Sequence, residues 1–157
     1  MPIAEFVREL REKVGTDLLF LPGVSGVVLN DAGEVLLGQR ADNGRWSTIG
    51  GMLEPGEEPA AGIVREIYEE TGVHAEVERI ASVLLSPVVT YPDGNVTQYL
   101  TVTFRCRAVG GEARVNDDES LAVGWFAPHA LPDLAEHTRV RLEQALTDEP
   151  AAWFIRP

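Results

Sequence analysis

The apolar and polar positions of the chain change their period several times, and each change predicts a different element. Residues 3–14 carry apolar side chains at helical spacing, and Gly15 follows as a stop signal. The apolar positions of this segment are Ile3, Phe6, Val7, Leu10 and Val14. An amphipathic helix needs an apolar partner. The N-terminal helix is therefore predicted to pack either on the chain's own core or on a second copy in a possible homodimer.

Two runs rich in β-forming residues follow, at 17–30 and 34–40. The three residues between them, Asp31-Ala32-Gly33, have the composition of a tight turn, so the two runs are predicted to form a hairpin. The next segment, 41–59, contains six Gly or Pro residues and has weak periodicity. It is predicted to be a long loop around short extended pieces, and loops of this length inside a domain are usually functional.

The second half of the chain alternates again between helical and extended patterns. A helix is predicted from Pro59, a suitable first-turn residue, to Thr71, with Gly72 as its end. The later predicted elements are strands at 74–90, 97–109 and 121–127 and a helix at 133–146. This order indicates the α/β class, a mixed β-sheet with helices packed on it. No repeat or linker interrupts residues 1–157, so a single domain is expected.

Composition narrows the possible partners. The formal charge is −12, from 25 acidic and 13 basic residues, and a surface field of that sign repels a phosphate backbone. No nucleic-acid binding is therefore expected, and a phosphorylated substrate needs positive charge supplied locally. The single cysteine, Cys106, shares an apolar strand face and is predicted to be a buried structural thiol. A reducing compartment fits one unpaired cysteine.

The N-terminal residues mix acids and bases and contain no long apolar stretch, which argues against a secretory signal. The sequence also has no uninterrupted apolar run of the ~18 residues that a membrane span needs. We therefore expect no membrane association and a cytoplasmic location.

Three carboxylates stand close together in REIYEETG, residues 65–72. Glu66, Glu69 and Glu70 fall on one helix face, since positions i, i+3 and i+4 are neighbours there. A solvated acidic face is the simplest interpretation of such a cluster. However, the opposite side of the helix is apolar and a glycine-rich stretch, GGMLEPGE, precedes it, which favours a shaped site. Three glutamates without histidine suit Mg²⁺, or Mn²⁺, better than Zn²⁺.

The spacing of the fixed residues around this helix resembles the Nudix box. Gly51, Glu57, Arg65 with its following glutamates, and Gly72 followed by Val73 match that motif over 23 residues. The resemblance implies an α/β/α sandwich and a hydrolase that cleaves a nucleoside diphosphate linked to another group, X, by attack of water on phosphorus. It marks the glutamates Glu66, Glu69 and Glu70 as metal ligands, joined by a backbone carbonyl of Gly50 or Gly51. Glu57 and Arg65 are marked as supporting residues.

The general base is open between two sources. Glu119, in the acidic loop VNDDES, is one candidate, and a box glutamate, Glu69 or Glu70, is the other. A solvated loop acid is an equally good interpretation of Glu119.

Substrate contacts are predicted around the mouth of the site. Arg40 is a candidate for phosphate binding and Arg45 for substrate binding, and Trp46 is placed to stack on a base or, preferably, to pack in the core. Pro87 and Tyr91 lie near spacings that the resemblance associates with ADP-ribose and diadenosine-polyphosphate hydrolases. An ADP-ribose-like substrate is the first expectation and a nucleoside triphosphate is the alternative.

A non-catalytic nucleotide sensor is a further alternative. Intact box glutamates favour the enzyme.

Overall fold

Three helices and eight strands make up the part of the chain that the computed structural model describes, residues 4–157. The helices are α1 (Glu5–Val14), α2 (Pro59–Thr71) and α3 (Glu136–Leu146). The strands are β1 (Leu19–Leu29), β2 (Val35–Arg40), β3 (Trp46–Ser47), β4 (Ile49–Met52), β5 (Val73–Leu85), β6 (Val89–Thr90), β7 (Val96–Gly111) and β8 (Ser120–Phe126). The predicted α/β class is confirmed.

The sheet is mixed, as predicted, because the central strands β1 and β7 run parallel to each other. Strand order is β3-β2-β1-β7-β5, with β4 paired to β1, β6 to β7 and β8 to β2. The parallel pair β1 and β7 holds its register from Leu19 opposite Thr97 to Leu29 opposite Arg107. The other strand pairs are antiparallel.

The predicted hairpin between β1 and β2 is confirmed as an antiparallel pair, but its ladder is short. The turn itself forms, since the Gly33 amide donates to the Asn30 carbonyl at 3.0 Å. However, the two strands pair only where Leu29 lies opposite Val35, after which β2 pairs with β8 and β1 with β4 and β7. Turn chemistry reverses the chain locally, whereas burial selects the strand partners. The cleft described below has lining residues from both diverging strands.

Helix α2 covers one face of the sheet, and its predicted limits are confirmed. It begins at Pro59 and ends before Gly72, which has the left-handed conformation (φ 70°) of a helix C-terminus. Ile63 and Ile67 are fully buried against β1. Their approach depends on Gly26, because a Cβ there would lie 3.0 Å from the Ile63 Cγ1 atom. This close packing fixes the helix on the sheet.

Helix α3 covers the other face, so helices enclose the sheet as an α/β/α sandwich. Leu142 and Ala145 pack in a second core cluster with Val27 of β1. The helix begins at Glu136 and not at the predicted residue 133. Leu134 is instead buried ahead of the helix, because the extended backbone there bridges to β3.

The predicted N-terminal helix exists as α1, although Ile3 lies outside the described residues. Val7 is its buried residue. Arg11 donates to the Val96 carbonyl at 2.7 Å and to the Thr97 hydroxyl at 3.0 Å. These contacts attach α1 to the chain's own sheet, while the homodimer stays a prediction.

Cys106 is completely buried, which confirms the structural-thiol prediction. Burial raises the pKa of this thiol to about 12. Within residues 4–157, no helix has the length and apolar character to span a membrane.

Candidate active site

The carboxylates of α2 divide between the interior and the rim. Glu66 and Glu70 are only 1% and 7% exposed, whereas the Glu69 side chain is 52% exposed. A solvated acidic face is therefore the wrong interpretation for the first two. They fit against β4 because its glycines leave the space free: a Cβ on Gly51 would lie 2.3 Å from the Glu66 Oε1 atom.

Strand β4 also contacts Glu70 directly. The Gly50 amide donates a hydrogen bond to the Glu70 Oε1 atom at 3.2 Å. At Gly50, the backbone group that contacts a glutamate is therefore the amide and not the carbonyl. The predicted backbone carbonyl ligand from Gly50 or Gly51 stays a prediction.

Arg65 is the hub of the charged groups around α2. Its Nε and Nη2 atoms donate to the two carboxylate oxygens of Glu57 at 2.7 and 3.0 Å. Its Nη1 atom donates to Glu66 and to Glu69, both at 3.0 Å. The hydrogen bond from Arg65 lowers the pKa of Glu57. We call Glu57, Arg65, Glu66, Glu69 and Glu70 the carboxylate cluster.

One arginine does not neutralise this cluster. Burial raises the pKa of Glu66 to about 7, although Arg65 acts in the opposite direction. Burial also raises the pKa of Glu70 well above its usual range, and the nearby charge of Glu119 adds to this. Glu119 is itself half-buried, and burial together with Asp117 raises its pKa. Ionisation of these carboxyl groups therefore lacks a sufficient counterion within the cluster.

The donor set fits a hard divalent cation. Every side-chain donor is a carboxylate oxygen, and the Glu66 Oε2 atom is buried without a hydrogen-bond partner. Among residues 4–157, no three acidic, imidazole or thiol groups already meet in a metal-binding arrangement. Arg65 now engages both Glu66 and Glu69, so Glu69 would exchange this bond for the ion.

A cleft of about 860 Å³ opens beside the cluster. It brings together most of the residues that the sequence marks for substrate and catalysis. Predicted site residues in its lining are Arg40, Arg45, Trp46, Gly50, Gly51, Glu70 and Glu119. Glu57, Arg65, Glu66 and Glu69 are not part of that lining. The long loop 41–59 therefore supplies much of the cleft, as its composition predicts.

Two of the predicted substrate residues already have protein partners. Arg40 is bound to Asp42 through Nε–Oδ1 and Nη2–Oδ2 contacts of 2.9 and 2.5 Å, and this hydrogen bonding raises the pKa of Arg40. Trp46 packs edge-on against Phe126, with ring centroids 4.9 Å apart. Core packing of Trp46 is therefore confirmed, and the same side chain also lines the cleft.

Sequence reasoning missed several other cleft residues. Helix α3 contributes His137, Thr138 and Arg141, and strand β7 contributes Tyr99, whose hydroxyl lies 3.2 Å from that of Tyr91. The His137 and Arg141 positions are one helical turn apart, on a helix whose apolar repeat is incomplete. That incomplete repeat was the available signal that one side of α3 does not face the core.

Buried, helix-borne carboxylates beside a cleft form the kind of site that suits a hard divalent cation. Residues 19–146 match the family model described as the NUDIX domain. The chain therefore belongs to the Nudix family, and it is a Nudix pyrophosphohydrolase. This family acts on nucleotide-derived small molecules.

Individual relatives agree with this assignment. The chain is 38% identical to a MutT-like protein of Streptomyces ambofaciens over 125 residues, which are 78% of this chain and 75% of that protein. It is 31% identical to a putative 8-oxo-dGTP diphosphatase of Bacillus subtilis (strain 168), over 73% of this chain and 71% of the relative. The crystal structure of a MutT protein from Methanosarcina mazei Go1 superposes with a TM-score of 0.69 at 23% identity, covering 82% and 94% of the two chains. This last likeness concerns the fold.

Proposed function

We propose that the protein hydrolyses, with Mg²⁺ or Mn²⁺, the diphosphate linkage of a nucleoside diphosphate joined to a further group X. The observation that carries this proposal is the pair of buried carboxylates, Glu66 and Glu70, beside the cleft. One of them has an oxygen atom without a hydrogen-bond partner. In a protein of charge −12, a cation at this point also offsets the repulsion of an anionic substrate.

The carboxylate cluster divides into ligands and supports. Glu66, Glu69 and Glu70 are the proposed side-chain ligands, with a backbone carbonyl of Gly50 or Gly51 beside them. A bound divalent cation supplies charge that offsets the diphosphate and lowers the pKa of water. Arg65, anchored by both oxygens of Glu57, orients the glutamates before the ion arrives.

Hydrolysis needs a proton acceptor as well as charge. The water oxygen forms a bond to phosphorus, the P–O bond of the anhydride breaks, and a proton of the water passes to a base. Glu119 is the proposed acceptor because it lines the cleft near Glu66 and Glu70. Its raised pKa also brings it closer to the pH of catalysis. Glu69 and Glu70 are the alternatives.

The identity of X has two candidates. An ADP-ribose-like substrate is supported by Pro87, the residue near the spacing that the resemblance associates with ADP-ribose hydrolases, because it lines the cleft. A nucleoside triphosphate, in which X is itself a phosphate, is the second candidate. It is favoured by two cleft arginines, Arg45 and Arg141, whose guanidinium groups have no hydrogen-bonded or ionic partner in the described chain from residue 4 to 157, and by the triphosphate in the name of the Bacillus subtilis relative.

A turnover assay tests the proposed function. The purified protein is incubated with nucleoside diphosphate sugars and nucleoside triphosphates in Mg²⁺, in Mn²⁺ and in excess EDTA, and the products are separated by chromatography. We expect cleavage at the diphosphate of at least one substrate class with metal, and none in EDTA. Failure on every substrate would return the nucleotide-sensor alternative.

A further inference from the structure

One wall of the cleft is built where β3 meets the segment before α3. The backbone of Trp46 bridges to Leu134, and the Ser47 and Thr138 hydroxyls lie 3.4 Å apart. These two contacts bring Arg45, the residue before β3, beside the first turns of α3. Both sides of this junction line the cleft.

Positive charge converges on this wall. His137 and Arg141 are one turn apart on α3 and both line the cleft. Burial lowers the pKa of His137, and the charges of Arg141, Arg40 and Arg45 lower it further. The imidazole therefore lies within the electrostatic reach of three guanidinium groups.

Two of these guanidinium groups lack a counterion. Arg40 is bound to Asp42, and Arg11, another arginine in the lining, is bound to backbone carbonyls. Within residues 4–157, the guanidinium groups of Arg45 and Arg141 have no hydrogen-bonded or ionic partner. We call these two residues the arginine pair.

An unpaired arginine in a partly desolvated position costs stability unless a ligand supplies the opposite charge. Arg141 is half-buried, and burial lowers its pKa. The chain has 25 acidic residues, so a counterion for Arg141 was available in its composition. Its side chain instead faces the cleft without one.

We propose that the arginine pair binds a further anionic group of the substrate, of the phosphate class, beyond the two phosphates held at the carboxylate cluster. A guanidinium group matches a phosphate because its N–H donors can form two parallel hydrogen bonds. This inference rests on the proposed function and deepens it. The cleft then selects substrates in which X carries a phosphate, such as nucleoside triphosphates, over those in which X is neutral, such as ADP-ribose.

The arginine pair needs no metal to bind an anion, which makes a direct binding test possible. Inorganic phosphate is titrated calorimetrically into wild type, Arg141→Gln and Arg139→Gln in excess EDTA at constant ionic strength. Arg139 is the matched control because it lies on the same helix, is exposed and does not line the cleft. We expect Arg141→Gln to weaken phosphate binding at least tenfold and Arg139→Gln to leave it within twofold.

Two results would overturn the proposal: no phosphate binding by the metal-free wild type, or equal weakening by Arg141→Gln and Arg139→Gln. The far-ultraviolet circular dichroism and thermal midpoint of Arg141→Gln are compared with wild type to show that the variant is folded. Arg141→Lys serves as a second variant. It keeps the charge without the two-pronged donor geometry, so we expect an intermediate affinity for phosphate.

A kinetic comparison tests substrate selection. For each enzyme, kcat/KM is measured with ATP and with ADP-ribose, and the ratio of the two values is compared. We expect Arg141→Gln to shift this ratio at least tenfold against ATP, mainly through KM, whereas an unchanged ratio would contradict the proposal. If neither substrate is cleaved, the proposed function fails, while the metal-free titration still decides whether the arginine pair binds phosphate.

Discussion

The carboxylate cluster and the arginine pair differ in the sign of their charge and in the number of protein contacts that compensate it. The cluster comes from one stretch, 57–70, and Arg65 links three of its acids by hydrogen bonds of 2.7–3.0 Å. The arginine pair comes from two segments far apart in the sequence, and neither guanidinium group has a hydrogen-bonded or ionic partner within residues 4–157. In the cluster, a local network orients an excess of negative charge. In the pair, positive charge is left open to the cleft.

Together, the two regions allow one cleft to accept a polyanion in an acidic protein. Excess carboxylate favours a cation, and unpaired guanidinium favours an anion, so each region is completed by a ligand of opposite sign. Four predictions test this contrast, beginning with the largest expected effect.

Glu70→Gln removes the charge of a buried carboxylate while preserving its shape. The Gly50 amide can still donate to the new amide oxygen, so the fold should persist. We expect kcat to fall at least about a thousandfold, equivalent to about 4 kcal/mol in the barrier. Steady-state kinetics measures this effect, with Glu143→Gln, an exposed acid on α3, as the control. Near-normal turnover by Glu70→Gln would rule out its role as a ligand.

The stability of the metal-free protein should fall as the pH rises from about 4.5 to about 7. Glu66 has a folded-state pKa of about 7 against an ordinary 4.5, because burial outweighs the opposing Arg65. The folded state therefore holds the proton more tightly, and ionisation costs about 3 kcal/mol of unfolding free energy. Denaturant unfolding in EDTA across this range measures the slope.

The variant Glu66→Gln isolates this contribution, since it removes the titrating group from its site. The difference in unfolding free energy between wild type and Glu66→Gln should become less favourable to wild type as pH rises, and Mg²⁺ should reduce the trend. A difference that is flat with pH would mean that Glu66 ionises at its ordinary pKa. In that case Arg65 and the other neighbours already compensate the charge of ionised Glu66.

Gly51→Ala tests whether the cluster depends on bare backbone in β4. The added Cβ would lie 2.3 Å from the Glu66 Oε1 atom, so the carboxylate must move. We expect about a hundredfold lower kcat and a loss of about 1–3 kcal/mol in stability. Gly124→Ala is the control because its nearest contact would be an ordinary 3.4 Å. Full activity in Gly51→Ala would show that catalysis does not depend on the position of the Glu66 carboxylate.

The last prediction, with the smallest effect, compares how much Arg65 and Arg141 contribute to the stability of the fold. Arg65→Gln breaks the link to Glu57 and should cost about 1–3 kcal/mol of unfolding free energy. Arg141→Gln removes a partly buried arginine whose charge is not compensated, so the unfolding free energy should stay unchanged or rise by about 0.5 kcal/mol. Parallel denaturant unfolding measures both variants. Equal losses would show that Arg141 stabilises the fold and is not held for a ligand.

Much of the carboxylate cluster could be predicted because its information is local. Helix α2 ends where Thr71 and Gly72 indicate, since a helix stop depends on the residues at that point. The link from Arg65 to Glu57 and Glu69 also follows from short spacing along the chain. What spacing did not reveal is that Glu66 and Glu70 turn inward, which depends on the glycines of a separate strand.

The hairpin and the arginine pair show where local information ends. The turn at Gly33 forms, yet β1 takes β7 and β4 as its main partners, because burial on both of its faces requires neighbours from distant segments. In the same way, Arg45 and Arg141 come to line one cleft because β3 bridges to the segment before α3. No spacing rule relates two residues so far apart.

Short-range periodicity and motif spacing were enough to predict the class of fold, the family and the helix that carries the carboxylates. The tertiary structure alone decided which glutamates are buried, which cleft residues converge and which charges are left without partners. Burial and pairing depend on packing between distant segments of the chain. They set the electrostatic free energy that is gained when a ligand of opposite charge binds.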